Sequence, residues 1–183
     1  MHRALLCTQV GALCVAHALA DLGEAHLDAI VHDAGLHHGA NAVRVLNHYF
    51  GRDHIPVGAY RGPVGADMPN SQFWTADARG VYVEELVTSY DANPGPGAWD
   101  VPSALDVLRA TLAAAEPKSI TLVEIGLATN LVDLLRSGGG DAHSPLTGEG
   151  LIARSVSQLV WSELPPGPGL FAPRSHAPVA RAT

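Results

Sequence analysis

Short apolar runs rich in β-branched residues alternate with segments of helical period along most of this chain. The clearest runs are AHLDAIVH at residues 25–32 and SITLVEIG at residues 119–126, and the longest helical patterns cover residues 39–49 and 101–115. Alternation of this kind predicts an open, mostly parallel sheet with helices on its faces. The sequence therefore predicts an α/β fold.

The weaker segments extend the same alternation. The patterns predict a strand at residues 4–7 and a helix at residues 11–22. They also predict a strand at residues 53–60, a helix at residues 82–89 and a final helix-to-strand unit at residues 151–161. Residues 62–81 show no clean period and are predicted to form a long loop. Thr129 or Asn130 is expected to cap a helix that reaches Leu135, because both side chains suit that position.

A change of composition after Trp161 indicates a boundary. Residues 162–183 are dense in proline and alanine and show no period, so they are predicted to be a disordered tail. The 183-residue length suits one domain. We therefore expect one α/β domain over residues 1–161, followed by the tail.

Charge and cysteine content exclude several classes of protein. The formal charge is −7, and the 11 lysine and arginine residues form no basic run, which argues against nucleic acid as a partner. Cys7 and Cys14 make no zinc pattern and are expected to be reduced core thiols. Adjacent His37 and His38 are a poor start for a transition-metal site.

The amino-terminal segment allows two interpretations. Residues 1–20 are apolar after His2 and Arg3 and end in small residues, as a secretory signal does. The alternative is the buried strand and helix already described, and with it a cytoplasmic protein. No apolar stretch has the length of a membrane span, so no membrane partner is expected.

Three loops are candidates for a ligand site. In open parallel sheets, ligands bind beyond the carboxyl ends of the strands. The loops predicted at those ends cover residues 8–11, 33–39 and 126–130. The second loop carries Asp33 and His37, although a loop carboxylate such as Asp33 is more often simply solvated.

Several segments, in order and with matching spacing, resemble the inosine/uridine-preferring nucleoside hydrolases. The most specific are GRDHIPVG at residues 51–58 and ITLVEIGLATNL at residues 120–131. The resemblance runs from about residue 4 to residue 161, which corresponds to the amino-terminal half of a typical member. It implies a Rossmann-like fold.

The resemblance also implies a chemistry. Members bind Ca²⁺ through an aspartate cluster after the first strand, and the ion holds the ribose hydroxyls and a water. An aspartate deprotonates that water, which attacks the anomeric carbon as the base leaves. Negative charge near the sugar suits an oxocarbenium-like transition state, and Ca²⁺ prefers oxygen ligands.

This chain departs from the pattern of the family at the first strand. The sequence there is LLCTQVGAL, and no acidic residue occurs between Met1 and Leu19. Thr8 and Gln9 are neutral and cannot act as a general base. The carboxy-terminal half of the family, which supplies another aspartate and a histidine, has no counterpart before the proline-rich tail.

By the resemblance, the remaining site residues are few. Asp33, His37 and Asn130 are predicted to bind the nucleoside or its ribose, and the backbone carbonyl of Ile125 is predicted to be a Ca²⁺ ligand. No catalytic residue is identified. The alternative for Asn130, as for Thr129, is the helix cap.

Three hypotheses follow. The first is a nucleoside hydrolase-like protein whose hydrolysis of N-glycosidic bonds is impaired or absent, a candidate pseudoenzyme. The second is an enzyme that still cleaves an N-glycosidic bond, with a partner chain completing the site. The third is a non-catalytic interaction protein derived from that fold, because half a sheet leaves an open edge that favours a homo-oligomer.

Overall fold

The computed structural model describes residues 2–7, 10–33, 39–61, 81–90 and 101–161. Five strands and six helices lie in these ranges, with one or two helices between successive strands. In chain order they are β1 (His2–Cys7), α1 (Val10–Asp21), β2 (Ala25–His32), α2 (Gly39–Tyr49), β3 (Val57–Ala59), α3 (Val81–Tyr90), α4 (Ala104–Ala114), β4 (Ile120–Glu124), α5 (Thr129–Arg136), α6 (Gly148–Ser155) and β5 (Val156–Trp161).

The five strands form one parallel sheet in the order β3-β2-β1-β4-β5. The first strand is central: Leu6 pairs with Ile30 of β2 on one side and with Val123 of β4 on the other. The predicted α/β class, with an open sheet and flanking helices, is confirmed.

Each face of the sheet carries its own apolar core. Helices α1 and α2 pack on one face and α4, α5 and α6 on the other, and consecutive β2 residues point to alternate faces. The first core includes Leu13, Ile30, Val43, Leu46 and Val57. The second includes Val31, Leu108, Leu112, Ile120, Leu134 and Leu151. Both cores use strands with β-branched residues, which suits a sheet covered on two faces.

The predicted elements are largely confirmed, with shifts at their ends. The strand expected over residues 53–60 is limited to Val57–Ala59. Residues 52–55 instead form a turn, in which the Ile55 amide donates a hydrogen bond to the Arg52 carbonyl at 3.1 Å. Helix α4 begins after Ser103, whose hydroxyl accepts the Asp106 amide at 3.0 Å. The tail and all but the last residue of the loop predicted over residues 62–81 lie outside the described residues, and Val81 is the first residue of α3.

The amino-terminal segment forms the central strand and the first helix, as the second of its two interpretations expected. Cys14 of α1 is half-buried and free. Within the described ranges, none of the helices combines the length and the apolar character needed to cross a membrane.

The two edges of the sheet differ. At the β3 edge all three residues are buried, and the Ala59 amide donates to the Pro102 carbonyl at 3.0 Å, so the segment before α4 covers this edge. At the β5 edge Leu159 and Trp161 are 50 % and 51 % exposed. Among the described residues, no strand pairs with β5 except β4. An apolar strand edge of this kind favours pairing with another chain.

A buried arginine fixes the loop between α5 and α6. Arg109 of α4 is 2 % exposed and donates to the Asp141 carboxylate, to the Ser137 hydroxyl at 2.7 Å and to the Leu146 carbonyl at 2.8 Å. Its hydrogen bond holds the pKa of Asp141 well below the usual range. One guanidinium therefore satisfies both side chains and backbone of residues 137–146.

Replacing Arg109 by methionine should loosen this loop. The Leu146 carbonyl would lose a charged donor inside the protein, so the free energy of unfolding is expected to fall by about 2 kcal/mol. Urea unfolding of the two chains measures the difference. Arg136→Met is the control, since Arg136 is exposed. Equal unfolding midpoints for the Arg109 variant and the parent would contradict the role assigned to Arg109.

Candidate functional site

The carboxyl ends of β2 and β4 lie on either side of β1. Because β1 separates these strands in the sheet, any contact between the residues that follow them passes beyond the end of β1 at Cys7. The chain leaves β1 toward β2, whereas it leaves β4 toward β5 on the other side of the sheet, so the direction of the connections reverses between β1 and β4. Such a switch point is where open α/β sheets bind ligands.

Asp33, which directly follows β2, is buried at this point. Its side chain carboxylate accepts the Leu127 amide at 2.5 Å, and the residue is only 5 % exposed. Burial raises the pKa of Asp33 to about 6, although the Leu127 hydrogen bond lowers it. The expectation of a solvated loop carboxylate is therefore wrong, because the turn after β4 covers the side chain.

Thr129 and Asn130 reach back to β2 from the start of α5. The Thr129 hydroxyl donates to the Asp33 carbonyl at 2.8 Å, and the Asn130 amide donates to the His32 carbonyl at 3.0 Å. The N-cap is Ala128, with no side-chain cap. The prediction that Thr129 or Asn130 caps α5 is wrong, because both side chains satisfy carbonyls at the end of a buried strand.

Two glycines allow this close packing. A Cβ atom on Gly126 would overlap the Asp33 carboxylate, and one on Gly39 would overlap the His32 ring. The absence of a side chain is therefore required where the β4 turn meets Asp33 and where α2 begins against His32.

Glu124, the last residue of β4, is a second carboxylate near the turn. It is fully buried, and its Oε1 accepts the Gly126 amide at 3.2 Å. Sequence reasoning did not single out this residue. The available signal was a charged residue in an otherwise apolar strand, at the same period as Ile120 and Leu122, which both face the second core.

The structure brings together some of the predicted site residues. Asp33, Asn130 and the turn that contains Ile125 meet beyond β1, and Ile125 is half-buried against the first core. His37, Thr8 and Gln9 lie outside the described residues. The predicted roles of Asp33, His37 and Asn130 in binding, and of the Ile125 carbonyl as a metal ligand, stay predictions.

The described residues of this site do not by themselves form a calcium centre. In the described part of the chain, no three His, Cys, Asp or Glu side chains are grouped so that they could hold a metal ion. The Asp33 and Glu124 carboxylates already accept backbone amides of the β4 turn. The described residues therefore do not fit the ion that the resemblance implies.

Asp33 should make stability depend on pH in an identifiable window. A carboxyl with a pKa of 3.8 when unfolded and about 6 when folded contributes most to stability below pH 3.8. That contribution, about 3 kcal/mol, is lost as the pH rises to about 6. In Asp33→Asn, whose amide oxygen can still accept the Leu127 amide, this loss should disappear.

The measurement is the difference in unfolding free energy between the parent and Asp33→Asn from pH 4 to pH 7. Buried His17 has a lowered pKa through burial, so it destabilises the folded chain at acid pH. Because His17 is present in both chains, its effect cancels in the difference. A difference that stays constant over this range would contradict the assignment to Asp33.

By sequence, no family model and no curated protein matches the chain. Solved structures do match. A plant nucleoside hydrolase is 19 % identical with a TM-score of 0.54, over 87 % of this chain and 47 % of its own. An inosine-uridine preferring nucleoside hydrolase from Bacillus anthracis is 21 % identical with a TM-score of 0.57, over 88 % of this chain and 50 % of its own.

These likenesses concern the fold. The chain spans about half the length of either structure that it matches. Its sheet and helices therefore have the fold found in part of these nucleoside hydrolases, as the resemblance expected.

Proposed function

We propose that this chain is a nucleoside hydrolase-like protein whose site beyond β1 binds the ribose part of a nucleoside, with hydrolysis impaired or absent. The observation that carries the proposal is the Asp33 carboxylate, buried at the switch point of a fold shared with nucleoside hydrolases. Keeping a carboxylate there is costly for stability, and such costs are concentrated at functional sites.

Asp33 has the chemistry to contact a sugar. An ionised carboxylate can accept hydrogen bonds from two or more hydroxyl groups. Negative charge near an anomeric carbon also stabilises an oxocarbenium-like transition state. A pKa of about 6 also suits a proton acceptor near neutral pH. These properties support sugar binding at this position.

The same contacts support weak or absent hydrolysis. A glycosidase needs a carboxylate that is free to take a proton from water, usually with a second group to assist the leaving group. Here the Asp33 and Glu124 side chains are engaged by the β4 turn, and no acidic residue precedes Asp21. Retained binding with reduced chemistry is the expected combination.

A thermal melt tests binding and a colorimetric assay of released ribose tests hydrolysis. Inosine, uridine or ribose should raise the melting midpoint, because a ligand present at 100 times its Kd stabilises the folded state by about 2.7 kcal/mol. A hexose serves as the control sugar. Each ligand is tested with and without calcium, and little or no ribose release is expected.

Each result has a distinct meaning. A shift with nucleosides but not with the hexose supports the site. Rapid ribose release that a chelator abolishes would contradict impaired hydrolysis. No shift with any of the three ligands would contradict the proposed binding.

A second candidate function, a self-associating interaction protein, rests on the open β5 edge. Leu159, Val160 and Trp161 are exposed, and Val156–Trp161 contains no charge and no proline to discourage pairing. Two copies could pair their β5 edges and continue the sheet.

Sedimentation velocity over a range of concentrations tests this candidate. Leu159→Lys should shift the chain toward monomer, because a charge would be placed at the edge of the sheet. Leu22→Lys is the matched control, since Leu22 is 71 % exposed in the turn that follows α1. A parent chain that remains monomeric at all concentrations would contradict self-association.

A further inference from the structure

The contacts between Asp33 and the start of α5 cross the end of the central strand. Asp33 belongs to the β2 side and Leu127, Thr129 and Asn130 to the β4 side. Since β1 lies between these strands, their hydrogen bonds span the carboxyl end of β1. This is the place where an open α/β sheet normally leaves a crevice.

These contacts are close and shielded from water. Three hydrogen bonds of 2.5, 2.8 and 3.0 Å join the two sides, and Gly126 lies directly against the Asp33 carboxylate. Asp33 is 5 % exposed and Asn130 is 2 % exposed. A ligand in solution therefore has little access to either side chain in this arrangement.

We propose that Asp33 and residues 126–130 form a strap that closes the crevice beyond β1 and that must open before a ligand can enter. The strap is an internal contact: the carboxylate already fills the position against Gly126 and occupies the Leu127 amide. Breaking it exposes one acceptor and one donor on opposite sides of β1.

A polyhydroxyl ligand has the chemistry to replace the strap. Each sugar hydroxyl both donates and accepts, so one hydroxyl can donate to the Asp33 carboxylate while another accepts the Leu127 amide. This role in binding rests on the proposed function. The strap itself rests only on the hydrogen bonds and the packing of Gly126.

Hydrogen exchange of the Leu127 amide, followed by NMR on the full chain, measures opening of the strap. Gly126→Ala forces the carboxylate away from the turn, and Thr129→Val removes the hydroxyl that holds the Asp33 carbonyl. Both changes should speed exchange at Leu127 about tenfold or more. Thr111→Val, a half-buried threonine on α4, should leave the rate unchanged.

Rescue separates the strap from a general loss of stability. If Gly126→Ala acts through the carboxylate, it should lower the melting midpoint when it is made in the parent chain. Made in Asp33→Ala, the same change should lower the midpoint much less, because the added methyl group then has space. An equal loss in both backgrounds, or unchanged exchange at Leu127 in both strap variants, would overturn the proposal.

Ribose binding gives a separate readout. With the strap weakened, the ribose-induced shift of the midpoint should be larger in Thr129→Val than in the parent. Faster exchange without a ribose shift in either chain would leave the strap supported and overturn the proposed ribose site. A ribose shift of equal size in both chains would show that the strap does not limit entry, and would overturn the closing role.

Discussion

Parallel pairing of β1 with a strand on each side is the constraint on which the rest of the structure depends. With β2 and β4 as its neighbours, the chain must leave the sheet and return before each pairing, and helices on both faces make those connections. The carboxyl ends of three strands then lie at one edge. Asp33 and the β4 turn meet there because the order of the strands leaves them no other position.

Burying the charge of Asp33 beyond the end of β1 costs free energy that neighbouring groups must offset. Burial disfavours the ionised form of Asp33, and the backbone amides of Leu127, at 2.5 Å, and of Asp33 itself offset only part of that cost. The Thr129 and Asn130 side chains add no bond to the carboxylate; they bind the backbone on either side of it. They position the charge rather than neutralise it, so the carboxylate becomes available to a ligand when its contact with the β4 turn opens.

Local pattern predicted much of this fold. The β-branched runs and helical periods give β2 and α2 with their observed ends, and the rule for open sheets directs attention to the loop of Asp33. These signals extend over a few residues. The partners of Asp33 lie more than ninety positions away, in a turn where Thr129 and Asn130 have the residue types of a helix cap.

The same limit explains two buried charges that the pattern did not reveal. Arg109 has the sequence context of an ordinary helix residue, and its burial depends on a loop some thirty residues later. Glu124 ends a strand whose inward face is visible only when the sheet is assembled. In each case the decisive contact is tertiary, and the local period of apolar residues does not predict a partner that is distant in sequence.

The strap makes the apparent affinity for a ligand depend on the fraction of molecules in which the strap is open. If only the open form admits a ligand, the apparent affinity equals the intrinsic affinity multiplied by the open fraction. A strap that is open for about one hundredth of the time weakens binding by about a hundredfold, with no change in the contacts to the ligand. Anything that stabilises the open form therefore acts as an activator of binding. The residues that decide this fraction, Gly126 and Thr129, need not contact the ligand.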